Sequence, residues 1–200
     1  MYRYKFKIII FSLVIIGLSI PSQGQNKSSP DIEYKLKAAF LYNFIKFVDW
    51  PEKIFPDEKG KILIGIIGKN NFGNAFEPVK DKKVKGREVE IRYYNSIIEL
   101  KKNKDELEIA AAELRKCHLL FVSSSEKDFI TDIINIVKGK NVLTVGEVPD
   151  FLDSGGIINF ILEENKVRFE INLIAARKSK LTIRSQLLRL AKKVIDDESK

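Results

Sequence analysis

One cysteine and one histidine stand in a chain of 200 residues. The shortage removes several classes of chemistry. A lone Cys117 forms no disulfide within the chain. Beside a lone His118 it also leaves too few nitrogen and sulfur ligands for a zinc site. Cys117 and His118 are neighbours at the start of an apolar run, Leu119 to Val122, where adjacent strand residues face opposite ways, so a Cys–His nucleophile pair is poorly placed. No Gly-x-Ser-x-Gly elbow surrounds Ser123, Ser124 and Ser125, and there is no calcium-binding Asp-x-Asp-x-Asp-Gly loop. Gly65, Gly68 and Gly73 follow a strand, but their spacing is not that of a dinucleotide fingerprint, and Gly68-Lys69-Asn70 lacks the hydroxyl residue of a phosphate loop. Turn formation accounts for these glycines, and no cofactor is implied.

Long apolar runs are also scarce. The single one lies at the N-terminus, from Ile8 to Ile20, and at 13 residues it falls short of the ~20 needed to span a bilayer. Arg3, Lys5 and Lys7 precede it, and Ser22 and Gly24 supply small residues before Gln25. That order reads as a secretory signal peptide over residues 1–24, cut near Gly24-Gln25, which places the mature chain outside the cytoplasm. Losing Arg3, Lys5 and Lys7 lowers the formal charge from +8 to +5. An exported chain with so small an excess gives no reason to expect nucleic acid as a partner.

The remainder is globular in composition, with 44% hydrophobic and 31% charged residues. Residues 25–30 are a polar tether, and residues 31–200 form one domain. Asp31–Asp49 has helical periodicity, with Leu36, Phe40, Phe44, Phe47 and Val48 on one stripe, Trp50 at the corner and Pro51 as a stop. Lys61–Gly68 is almost wholly apolar, as a central strand covered on both faces would be. A short helix near 74–79, a strand over Val84–Tyr94 and a helix over Asp105–Lys116 follow. Next come a buried strand at His118–Val122, a helix from Ser123–Ser125 to Val137, and a strand at Val142–Val145. Gly155-Gly156 introduces a hairpin of Ile157–Leu162 and Val167–Ile171. Two helices close the chain, the last over Arg184–Asp196 with Leu187, Leu190, Ala191 and Val194 inward. The alternation predicts a three-layer α/β fold, its mostly parallel mixed sheet of about six strands having one antiparallel strand from the late hairpin.

Two groups of residues are candidate sites. Arg168 and Glu170 share one face of a strand, with Arg177 and Lys180 close behind in sequence. They make either an exposed face with a surface ion pair or an anion-binding pocket. Phe44, Phe47 and Trp50 belong to an aromatic stretch richer than one sheet face consumes. They serve either as core or as a surface for self-association or a partner.

Five segments together resemble the YfiR family of periplasmic proteins: KAAFLYNFIKFVDWP from Lys37 to Pro51, CHLLFV from Cys117, GGII from Gly155, RFEINLIAA from Arg168 and LLRLA from Leu187. The resemblance runs through most of the mature chain. It implies regulation and not catalysis: a soluble inhibitor that holds the periplasmic sensor domain of an inner-membrane diguanylate cyclase inactive. A histidine kinase is an alternative target. It further implies an outer-membrane lipoprotein that sequesters the inhibitor, a homodimer, and redox control through disulfides. The lone Cys117 departs from the last of these. A small-molecule or anion-binding module is the competing function.

Overall fold

The computed structural model describes residues 30–55, 60–79 and 82–196. The expected leader and nearly all of the tether lie outside the described residues. Helix α1 (Pro30–Phe47) is the longest element, with Asp31 and Glu33 in its first turn and Lys46 in its last, each sign matching the helix dipole. It ends two residues before Asp49, the predicted last residue. Val48 and Asp49 form β1, which pairs antiparallel with β8 (Thr182–Ile183) in a small separate sheet.

The main sheet has seven strands in the order β3-β2-β4-β5-β6-β7-β9. β2 (Ile62–Ile67), β3 (Val89–Tyr94), β4 (Leu119–Val122), β5 (Leu143–Gly146) and β6 (Ile158–Glu163) run parallel to one another. β7 (Lys166–Asn172) reverses direction in the predicted hairpin, and β9 (Lys193–Ile195) pairs parallel to it. The α/β class and mixed, mostly parallel sheet therefore match expectation, with two reversed strands where one was foreseen. The hairpin turn is tighter than predicted, because Glu163 pairs directly with Lys166 and only Glu164 and Asn165 turn.

Alternation along the strands divides the core into two clusters. Ile62, Ile64, Ile66, Leu119, Phe121, Phe160 and Phe169 face α1, together with α5 (Leu173–Lys178) and α6 (Ser185–Leu188). Leu63, Ile67, Leu120 and Val122 face α2 (Ile97–Leu100), α3 (Lys104–Leu114), α4 (Ile130–Val137) and the loop carrying Phe151 and Leu152. Gly156 is required here: a Cβ on it would fall 2.2 Å from the Phe151 ring.

The C-terminal segment departs most from expectation. A single helix over Arg184–Asp196 is replaced by the four-residue α6 and by β9. Leu187 is buried as foreseen, but Leu190 is 63% exposed and Val194 37% exposed. The free edge of β7 takes Val194 and Ile195 into the sheet, and strand pairing there outweighs the weak helical spacing. Likewise the predicted strand from Val84 begins only at Val89. Val84 and Arg87 instead close a small turn through Lys85 and Gly86, both at positive φ.

Candidate functional site

The strand order places the topological switch between β2 and β4, where doubly wound sheets bind their ligands beyond the carboxyl ends of the strands. In this chain its own polar groups occupy that crevice. Glu126, fully buried, accepts hydrogen bonds from Ser96 Oγ (3.0 Å), Ile97 N (2.9 Å) and Ser125 Oγ (2.8 Å), and so caps α2. Gly68 turns at φ +93° beneath it, and a Cβ there would meet Ser125 Oγ at 2.5 Å. The glycines after β2 thus serve a turn packed against a buried carboxylate.

Glu147, just past β5, forms the other half of the crevice. It accepts from Ser124 N (3.0 Å), Tyr34 Oη (3.0 Å) and Lys37 Nζ (2.6 Å). Lys37, only 6% exposed although charged, also reaches Glu33 at 2.5 Å. Asn71 Nδ2 donates to Tyr34 Oη at 2.9 Å, and the Tyr34 ring packs edge-on against Phe72. Burial, reinforced by the Glu147 charge, raises the Tyr34 hydroxyl well above its ordinary range, so it stays a donor. A carboxylate on a backbone N–H after β4 occupies the place where an anionic ligand would otherwise sit. It clamps the first turns of α1 to the sheet. Sequence reasoning missed this cluster; its one local sign was the i,i+4 pair of Glu33 and Lys37.

Cys117 and His118 separate as predicted. Cys117 Sγ lies in the α3 layer, 3.7 Å from Tyr94 Oη, and burial pushes its thiol up to about 11. His118 lies on the other side, stacked on Phe55 with 4.8 Å between centroids, and its Nδ1 accepts from Leu63 N at 3.0 Å.

The aromatic candidates fall in different environments. Phe44 is fully buried against Phe160 and Phe169, with centroids 5.6 and 5.0 Å away. Trp50 is also core, its indole N–H donating to Asn141 O at 2.9 Å. Phe47 is half-buried. The aromatic surplus is consumed by α1 packing on two phenylalanines of the hairpin, which sequence spacing does not reveal. Ile32 and Leu36, one turn apart on the same helix, are instead 52% and 46% exposed.

The charged candidates do not converge. Arg168 lies opposite Ile161, while Glu170 sits between Asn159 and Lys193. Arg177 binds Asp196 through both terminal nitrogens, at 2.6 and 3.1 Å. Lys180 is exposed at a positive-φ turn. Of the four, Glu170 lines a cavity of about 440 Å³ with Glu147, Asp150, Asp153 and Lys193, an acid-rich wall unsuited to an anion. Among the described residues no cluster of three potential metal ligands occurs, and no helix is long and apolar enough to cross a membrane.

Strand order and layering define a doubly wound α/β domain whose switch-point crevice is closed from within. The chain belongs to the YfiR/HmsC-like family, whose sequence profile matches residues 34–192. That family is periplasmic and regulatory, associated with control of membrane signalling proteins. Among solved structures, a conserved domain protein from Vibrio cholerae O1 biovar El Tor is similar at 13% identity with TM-score 0.52, covering 80% of this chain and 60% of that one. An ABC domain from Streptococcus pneumoniae, solved in complex with L-Trp, is similar at 15% identity with TM-score 0.54, covering 79% and 62%. The chain thus spans about three-fifths of the length of either structure, and these likenesses show the fold alone. No curated protein matches.

Proposed function

We propose that the chain is exported to the periplasm, where it binds and restrains the periplasmic sensor domain of an inner-membrane signalling protein, a diguanylate cyclase in the first instance. The family assignment supports regulation over catalysis. The observation that carries a docking role is helix α1. Its inner side is fixed by Phe44 and the Lys37–Glu147 pair, while Ile32 and Leu36 stand half-exposed on a rigid support. Rigid apolar side chains with charges beside them, here the Asp31–Lys35 pair at 2.6 Å, are what a protein partner can desolvate at modest entropic cost. Phe47, half-buried further along the helix, extends this surface. Phe44 and Trp50 act through it only as its foundation. A homodimer, and an outer-membrane lipoprotein that sequesters the chain, complete the proposal.

The test is the cyclic di-GMP level in cells lacking the chain. Deletion raises it, the wild-type gene restores it, and a Leu36→Asp variant secreted at the same level does not. An unchanged level on deletion overturns the cyclase as target. Full restoration by Leu36→Asp, with Ile32→Asp equally active, overturns α1 as the contact.

A further inference from the structure

A second cavity, of about 640 Å³, opens between the end of α4 and α5, where β5 begins and β7 ends. Its size falls within the range of roughly 300–1,000 Å³ usual for small-molecule sites. α4 stops at Val137 and α5 has only six residues, so a gap is left between the two helices. Ile134, Val137, Val142, Ile174 and Ile195 supply its apolar lining. Two of the polar residues on the lining are already engaged. Thr144 Oγ1 accepts from Ile157 N at 3.1 Å, while Asn172 donates to Leu152 O and accepts from Ala175 N. No aromatic ring lines the cleft to stack on a planar ligand.

The rim has a different character. Lys138, at the end of α4, and Lys178, at the end of α5, line the same cleft, and neither forms an ion pair among the described residues. Asp153 is the one acid on the lining. Two ammonium groups suit a single negative charge. Both helices turn their carbonyl ends towards this rim, which would repel a phosphate dianion more than a carboxylate.

We propose that this cleft binds a free medium-chain aliphatic carboxylate, the chain lying between α4 and α5 and the carboxylate held by Lys138 and Lys178. The site is separate from the α1 surface and does not depend on the regulatory reading. It also relocates the anion-binding expectation: Lys178 takes the part that Arg177 and Lys180, its near neighbours in sequence, were expected to play.

Calorimetric titration of the purified chain with decanoate tests this, with methyl NMR locating the response. Saturable one-to-one binding is expected, with decanoate about a hundredfold tighter than hexanoate from four further buried methylenes. Shifts should centre on Ile134, Val142 and Ile174. Lys138→Glu combined with Lys178→Glu, both at exposed positions, should weaken decanoate by about tenfold or more and leave 1-decanol unaffected. Ile174→Trp, which adds bulk at the mouth, should abolish both. Absence of saturable binding below millimolar decanoate overturns the proposal, as does an affinity unchanged in both variants. Displacement of decanoate by phosphatidylglycerol vesicles at equal acyl concentration overturns it too, since the site would then read a lipid surface.

Discussion

His118 lies where β2 and β4 begin to pair, and its side chain participates in that pairing. His118 N donates to Leu63 O at 2.9 Å, and its Nδ1 accepts from Leu63 N at 3.0 Å, an acceptor role open only to an unprotonated nitrogen. Phe55 covers one ring face, and Arg87 stands over the Phe55 ring at 4.6 Å. Burial, helped by the Arg87 charge, lowers the imidazole from 6.5 to about 4. Above pH 6.5 the ring is neutral in both the folded and the unfolded chain. As pH falls from 6.5 towards 4, the unfolded chain takes up a proton that the folded chain refuses, and stability declines through that window. Allowing for partial solvent access, the loss is on the order of 2 kcal/mol. Urea midpoints at pH 7 and pH 4.5 should therefore separate in the wild-type chain. They should lie closer together in His118→Asn, which keeps an acceptor near Nδ1 but cannot titrate. Equal separation in both proteins would assign the acid sensitivity to other groups. The sequence revealed that Cys117 and His118 point apart, because strand alternation alone dictates it. That His118 would bond to a neighbouring strand's backbone depends on which strand lies beside it, and local pattern does not encode that.

At the scale of the elements, the β6–β7 hairpin shows how much a turn can leave unoptimised. Glu164 and Asn165 have φ of 49° and 60°, the left-handed pair of a two-residue I′ turn, for which Asn-Gly is the favoured sequence. Asn165 tolerates this backbone, whereas Glu164 is strained by its Cβ. Replacing the pair by Glu164→Asn with Asn165→Gly should raise stability by about 1 kcal/mol, read as a higher urea midpoint at constant slope. An unchanged midpoint would mean the strand register, held by Phe160 against Phe169, already determines the turn. Apolar runs and Gly-Gly punctuation were sufficient to place this hairpin, the central strands and α1. They failed for residues 184–196, where Leu187, Leu190, Ala191 and Val194 keep helical spacing. The chain there is short, its helix-forming stretch brief, and β7 offers an unpaired edge, so non-local pairing decides. The surroundings of the candidate sites were illegible for a related reason. Arg168 and Glu170 do share a strand face, but what stands across from them is set by strand order, and that brings Lys193 and three acids beside Glu170.

For the whole molecule, the uneven covering of the sheet matters more than its strand count. β2, β4 and β5 are buried along their whole length, with helices or the 147–156 loop on both faces. β3 is an edge strand with Arg92 and Tyr93 exposed, and β9, at the other edge, buries no residue fully. Its ties are three register pairs with β7 and two peripheral ion pairs, Arg177–Asp196 and Lys192–Glu163 at 2.6 and 2.8 Å, each partly solvated and worth little. Stability should therefore be graded across the strand order and not uniform. In native-state hydrogen exchange, the amides of Ile64, Ile66, Leu120 and Phe121 should exchange only through global unfolding and follow denaturant with the full slope. The amides of Val194 and Ile195 should exchange through a local opening almost insensitive to denaturant, and orders of magnitude faster. Because Ile195 also walls the α4–α5 cleft, a ligand seated there has a physical route to slow that opening: it buries the side chain whose release frees the strand. Decanoate should thus protect the β9 amides while leaving those of β2 and β4 unchanged. Exchange at β9 as slow as in the central strands without ligand would instead mean the C-terminal edge unfolds only with the core.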